Sequence, residues 1–211
     1  MPKQPGLFDS FDNLDAISAE SLVPFIKSAP TILQLENYLA NRILYPGTLP
    51  ITDLDMKIDL AILREALRIN GPKSAKSGNP LLGDNPFLNE TLRKIIIPER
   101  FLHYVPDLVS ISWAFLDGLL LRRIKQDQFE DIWTVVVSAD FDEIVGSAIL
   151  LQFESLEESM MLSLQNRDYR ILAGSLTLIS CPATKCQITY EGKVVEVYGG
   201  RLGLMIDGRM R

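Results

Sequence analysis

The sequence predicts an α+β protein: a mainly helical body over residues 1–172, then a small C-terminal antiparallel β-meander over 173–211. Three observations predict it. Apolar residues recur at helical spacing through the first two thirds of the chain, the pattern turns to loose alternation after Ala173, and Gly-containing turns then punctuate short β-branched runs. Segregated helices and strands favour this class over a parallel α/β sheet. A meander this small needs a helical face to cover it, so the β module is expected to pack on the body as one cooperative domain.

The helical body is read in order. Residues 1–12 form a lead-in that Leu7, Phe8 and Phe11 would dock onto the body. A helix over about 14–27 must kink or break at Pro24. The next helix has Ser28 as a cap, Pro30 in its first turn, and Ile32, Leu35, Leu39 and Ile43 on one face; Pro46-Gly47 ends it. A third opens at Thr52, with Asp53 and Asp55 where the helix dipole favours anions, and stops at Asn70-Gly71-Pro72. Residues 70–89 read as a long loop, of the kind that is usually functional or disordered.

A short helical piece then runs from Leu92 to Ile97 and stops at Pro98, and Glu99 to Tyr104 reads as a brief turn. The most apolar helix spans Asp107 to about Gln126. Residues 129–137 are ambiguous: Ile132-Trp133-Thr134-Val135-Val136-Val137 has strand-like β-branching, but helical neighbours tip the reading to helix. Phe141 to Leu164 reads as helix with a break near Glu154-Ser155. Beyond it, Gln187–Tyr190 and Val194–Tyr198 flank the compact turn Glu191-Gly192-Lys193, a hairpin signal, and Leu202–Ile206 adds a last strand.

Composition bounds the function. The 211 residues are 47% hydrophobic and 23% charged, an ordinary globular balance. A net charge of −6 repels phosphate backbones, which argues against nucleic acid as a general partner. Two cysteines exclude a disulfide-dense secreted framework, and the N-terminus lacks the apolar run of a signal peptide. The apolar stretch Val105–Leu121 contains Asp107 and Asp117, so it reads as a core helix and not a membrane span. The default location is cytoplasmic.

Motifs able to do chemistry are few. Gly71-Pro72-Lys73-Ser74-Ala75-Lys76-Ser77 lacks the second glycine of a phosphate loop. Cys181 and Cys186 read as small apolar residues; a metal site completed by Asp, Glu or a second subunit, and a disulfide or redox pair, are the alternatives. His103 reads as a helix-end residue. Asp53, Asp55, Asp140, Asp142 and Glu143 stand where helices would start, and such spacing diverges rather than converges. Arg93-Lys94 and Arg122-Arg123-Ile124-Lys125 suit helix C-termini.

No catalytic residue, metal ligand or cofactor is therefore assigned, and no small-molecule substrate is identified. The reading that remains is a non-catalytic adaptor or structural subunit that binds a protein partner or itself. It would use the C-terminal module, with Tyr190, Tyr198, Arg201, Leu202, Leu204 and Arg209 as contacts. Two alternatives stay open: a carboxylate- or metal-dependent hydrolase or transferase with 70–89 as its lid, and a nucleic-acid-associated regulator using a local basic patch.

Overall fold

The computed structural model describes residues 7–8, 11, 13–27, 30–76, 94–105, 107–120, 132–139 and 143–209. The chain divides into two compact units: residues 1–89 with 99–121, and residues 90–98 with 122–211.

The first unit is helical. Short 3-10 turns, Leu14–Ala16 and Val23–Phe25, flank α1 (Ala19–Leu22), and Pro24 opens the second turn, where its missing N–H costs nothing. α2 (Ile32–Leu44) begins with a capping box. The Thr31 hydroxyl accepts from Gln34 N (3.3 Å), and Gln34 Oε1 accepts from Thr31 N (2.8 Å). The cap is thus Thr31 rather than Ser28, and Pro30 lies just outside the helix. α3 (Asp53–Lys76) repeats the device with Thr52 and Asp55, at 3.1 and 2.9 Å. The helix runs through Asn70-Gly71-Pro72, so the expected stop there is corrected. One proline removes one ladder bond, at about 3 kcal/mol, and Asn70 Nδ2 still donates along the helix to Ala66 O (2.9 Å). Residues 77–89 of the expected loop lie outside the described residues.

α4 (Glu99–Tyr104) and α5 (Leu108–Leu120) complete this unit. Asp107 caps α5, accepting from the amides of Val109 and Ser110 (3.1 and 3.2 Å). α3 and α5 pack closely enough that a Cβ on Gly118 would meet Leu67 and Arg64 O. Leu22, Leu35, Ile62, Leu63, Ile111 and Leu116 form the buried centre. The lead-in docks through a chain of rings, Phe8–Phe11–Phe101–Phe115, with centroids 6.5, 6.4 and 5.4 Å apart, within the range of favourable ring pairs.

The second unit holds all nine strands among the described residues. This overturns the expected mainly helical body with a small terminal meander. β1 (Lys94–Ile97), β2 (Ile132–Ala139) and β3 (Glu143–Leu151) occupy segments read as helix, and so does β4 (Ser159–Leu164). β5 (Arg167–Leu172), β6 (Leu176–Ile179), β7 (Cys186–Tyr190), β8 (Lys193–Val197) and β9 (Gly203–Asp207) follow. A five-stranded sheet has the order β1-β2-β3-β9-β6, and a four-stranded sheet the order β5-β4-β7-β8. In β3 the physical reason is burial on both faces. Seven consecutive residues of β3, Val145–Leu151, are buried, so the strand shows no alternation and imitates a core helix.

The C-terminal segment is also not one meander. β7 and β8 form the expected hairpin, its turn made by Glu191 (φ 45°) and Gly192 (φ 78°), and β4–β5 form a second one through Gln165 (φ 49°) and Asn166 (φ 64°). β9 instead joins the other sheet, parallel to β3 and antiparallel to β6. That insertion depends on glycine. Gly203 has φ +76°, and a Cβ on Gly146 would overlap Gly203 O. The two sheets share one apolar core, which includes Ile149, Phe153, Leu162, Ile171, Ile188 and Leu204.

Candidate partner-binding site

The structure places the six residues expected to contact a partner in three different settings. Tyr190, Leu202 and Leu204 are buried. Leu204 lies in β9, a central strand with neighbours on both sides, so it has no edge to offer. Tyr198 is half-buried: its amide donates to Ser147 Oγ (2.9 Å), and the Lys185 ammonium stands 5.5 Å from its ring centroid. Arg201 is exposed and pairs with Glu143 at 3.3 Å. Arg209 clamps the buried Asp207 carboxylate through its amide and guanidinium, at 2.8–3.0 Å.

The free edge lies one strand further out, at β6. Among the described residues β6 pairs as a strand with β9 alone. Its alternation turns Leu176 and Leu178 outward, 46% and 48% exposed, while Ile179 is buried. Exposed Leu172 stands at the turn into the strand, and exposed Leu156 stands 3.6 Å from where a Cβ of Gly174 would lie. The alternation of residues 175–180 was visible in the sequence. What the sequence lacked was the signal that the last strand would insert between β3 and β6, leaving β6 at the margin.

The first unit carries a second exposed apolar feature, at the α2–α3 connection. Leu44, Tyr45, Leu49 and Ile51 are exposed there, Ile51 by 90%. A buried cluster holds the elbow in shape. Arg42 grips Asp59 with two bonds, Nε to Oδ1 at 2.7 Å and an NH2 contact to Oδ2 at 2.6 Å. Tyr38 donates to Asp59 Oδ1 (3.0 Å), and Arg42 also donates to the Thr48 carbonyl inside the connection. Burial pushes the Asp59 carboxyl up to about 6, against the pull of the Arg42 guanidinium. Burial, together with the Asp59 charge, also raises the Tyr38 phenol. Asp55, one turn earlier, ends below the usual carboxylate range. Burial works against this, but the Thr52 and Ile51 amides and the Thr52 hydroxyl favour its charged form.

No group of three or more His, Cys, Asp or Glu suited to a metal ion occurs among the described residues. Asp55 is engaged in its helix cap. His103 sits in α4 with its side chain outside the described residues, as are Arg93, Arg122, Arg123, Lys125, Asp140 and Asp142. Cys181 and Cys186 are bonded as a disulfide, which corrects their reading as two free apolar residues. No helix among the described residues is long and apolar enough to cross a membrane. The chain matches no family model, and no curated protein or solved structure is significantly similar to it.

Proposed function

We propose that the chain is a non-catalytic adaptor or structural subunit that binds a protein partner along the β6 edge of its second unit. One observation carries this reading: the edge Ser175-Leu176-Thr177-Leu178-Ile179-Ser180 has no charge and no proline, and its alternate leucines face outward. Sheet edges are ordinarily blunted by Lys, Pro or a bulge, because their unpaired amides and carbonyls invite another strand. A partner strand laid beside β6 would take up those groups and rest its own side chains on Leu176 and Leu178. Tyr198, Arg201 and Arg209, the three expected contacts that are not buried, are assigned to the rim.

A photo-crosslinking residue at position 178 tests the site, with position 191 in the β7–β8 turn as the control. Position 178 should capture one protein selectively in the native host, and the purified pair should bind. Leu178→Lys should then weaken binding at least tenfold while stability changes by only about 0.5 kcal/mol. Capture of the chain by itself would make it a self-assembling subunit. Equal crosslinking at both positions, or unchanged affinity of the lysine variant, would overturn the site. The expected cytoplasmic location belongs to this proposal and has its own check. Fractionation of the native host should recover the chain together with cytoplasmic marker proteins.

A further inference from the structure

The outer face of the four-stranded sheet holds a cleft of about 690 Å³, lined in part by Ser163, Asp168, Lys185, Gln187, Thr189 and Glu196. We infer that it binds a small neutral polyhydroxylated ligand, a mono- or disaccharide. Pairing builds the floor. Strand register sets Ser163 beside both Asp168 and Thr189, and sets Gln187 beside Glu196. The left-handed turn at Gln165 and Asn166 brings two amides to the cleft, and Lys185 stands just before β7.

The chemistry of the lining selects the ligand class. The volume falls within the range of ordinary small-molecule sites, roughly 300–1,000 Å³. Among the described residues no aromatic or aliphatic side chain lines it, so a flat or apolar ligand would gain little there. Two carboxylates face one ammonium, so the cleft disfavours phosphates and other anions. Amides, hydroxyls and carboxylates are interleaved, which matches a ligand whose every hydroxyl both donates and accepts.

Part of the set is already paired. Ser163 donates to Asp168 Oδ1, and Lys185 Nζ stands 2.8 Å from Glu196 Oε1, a contact that raises the lysine's pKa. The Cys181–Cys186 disulfide fixes the start of β7. The side chains of Gln165, Asn166, Gln187 and Thr189 make no hydrogen bond among the described residues, so their capacity is open to a ligand. Groups already fixed lose less freedom on binding.

The test follows the side-chain amide resonances of Gln165, Asn166 and Gln187 during titration of the full chain with glucose, N-acetylglucosamine and maltose. Inorganic phosphate serves as the control. At least one sugar should shift all three resonances and saturate with a Kd on the order of 1 mM. Asp168→Ala with Gln187→Ala should weaken that binding at least tenfold without moving amide signals of the core. Leu178→Lys should leave it intact, which separates this cleft from the β6 edge. No shift with any of the three sugars at about 50 mM, or the same shifts with phosphate, would overturn the inference.

Discussion

The two units solve the same alignment problem with different chemistry. Among the described residues, the helical unit buries four charged side chains, Arg42, Asp59, Glu65 and Asp117, and the β unit buries one, Asp207. In the helical unit, Arg42–Asp59 ties α2 to α3 at 2.6 Å, and Arg64–Asp117 ties α3 to α5 at 2.8 Å, with the Arg64 guanidinium 4.0 Å over the Phe25 ring. In the β unit, strand pairing and an apolar core fix the register, and Gly146 and Gly203 let two backbones touch. The difference teaches where specificity is needed. An apolar helical stripe tolerates sliding and rotation, so directional buried contacts select one arrangement. A strand slipped by one residue would turn its whole apolar set outward, so sheets need less of that help.

The sharpest way to break the comparison is to remove the glycine contact. Gly146→Val should cost the β unit roughly 4 kcal/mol or more, since a side chain there overlaps backbone that cannot move aside. Hydrogen exchange should show strands β3 and β9 losing protection while α2 and α3 keep theirs. Equal loss in both units would show that they unfold together.

Next comes the buried ion pair. Arg42→Met should destabilise the helical unit by about 3–5 kcal/mol at neutral pH, because Asp59 is left buried and charged without its partner. The deficit should narrow on acidification, as protonation removes that charge. Denaturant melts at pH 7 and pH 5 check both points.

The carboxylates of this unit should titrate in opposite directions. Asp59 at about 6 lies above the unfolded value near 3.9. Its contribution to stability is therefore complete below about pH 4 and is lost as pH rises through 6. Asp55 is lowered, so its contribution is present above the unfolded value and is lost as pH falls through the folded one. Carboxyl carbon shifts measured against pH should give a midpoint near 6 for Asp59 and one below the usual aspartate range for Asp55.

The smallest effect belongs to the β unit's surface. Lys185→Ala should leave the melting temperature unchanged, because its pair with Glu196 is solvent-exposed on both sides. A measurable drop would mean that this unit also depends on charge pairing.

What the sequence made legible follows from local physics. Thr52 with Asp55 announces a helix start, because one side chain can satisfy an amide three residues away. Pro24 breaks its helix, and Glu191-Gly192 turns its hairpin, because each is a constraint on φ. The docking of Phe8 was readable too, since so large an apolar side chain gains by leaving water. Leu178 was visible as part of a strand, but nothing in its neighbourhood could say that the strand would lie at an edge.

The sequence by itself determined two helices within residues 32–70, the Thr52 cap that starts the second of them, and the β7–β8 hairpin. Only the tertiary structure decided that Ile132–Ala139, Glu143–Leu151 and Ser159–Leu164 are strands, that β9 runs between β3 and β6, and that Leu204 is covered while Leu178 is exposed. Caps and turns are interactions between residues a few positions apart, so they are written locally. Strand identity within a doubly buried run, and the choice between edge and centre, depend on partners dozens of residues away, such as Ser147 opposite Leu204.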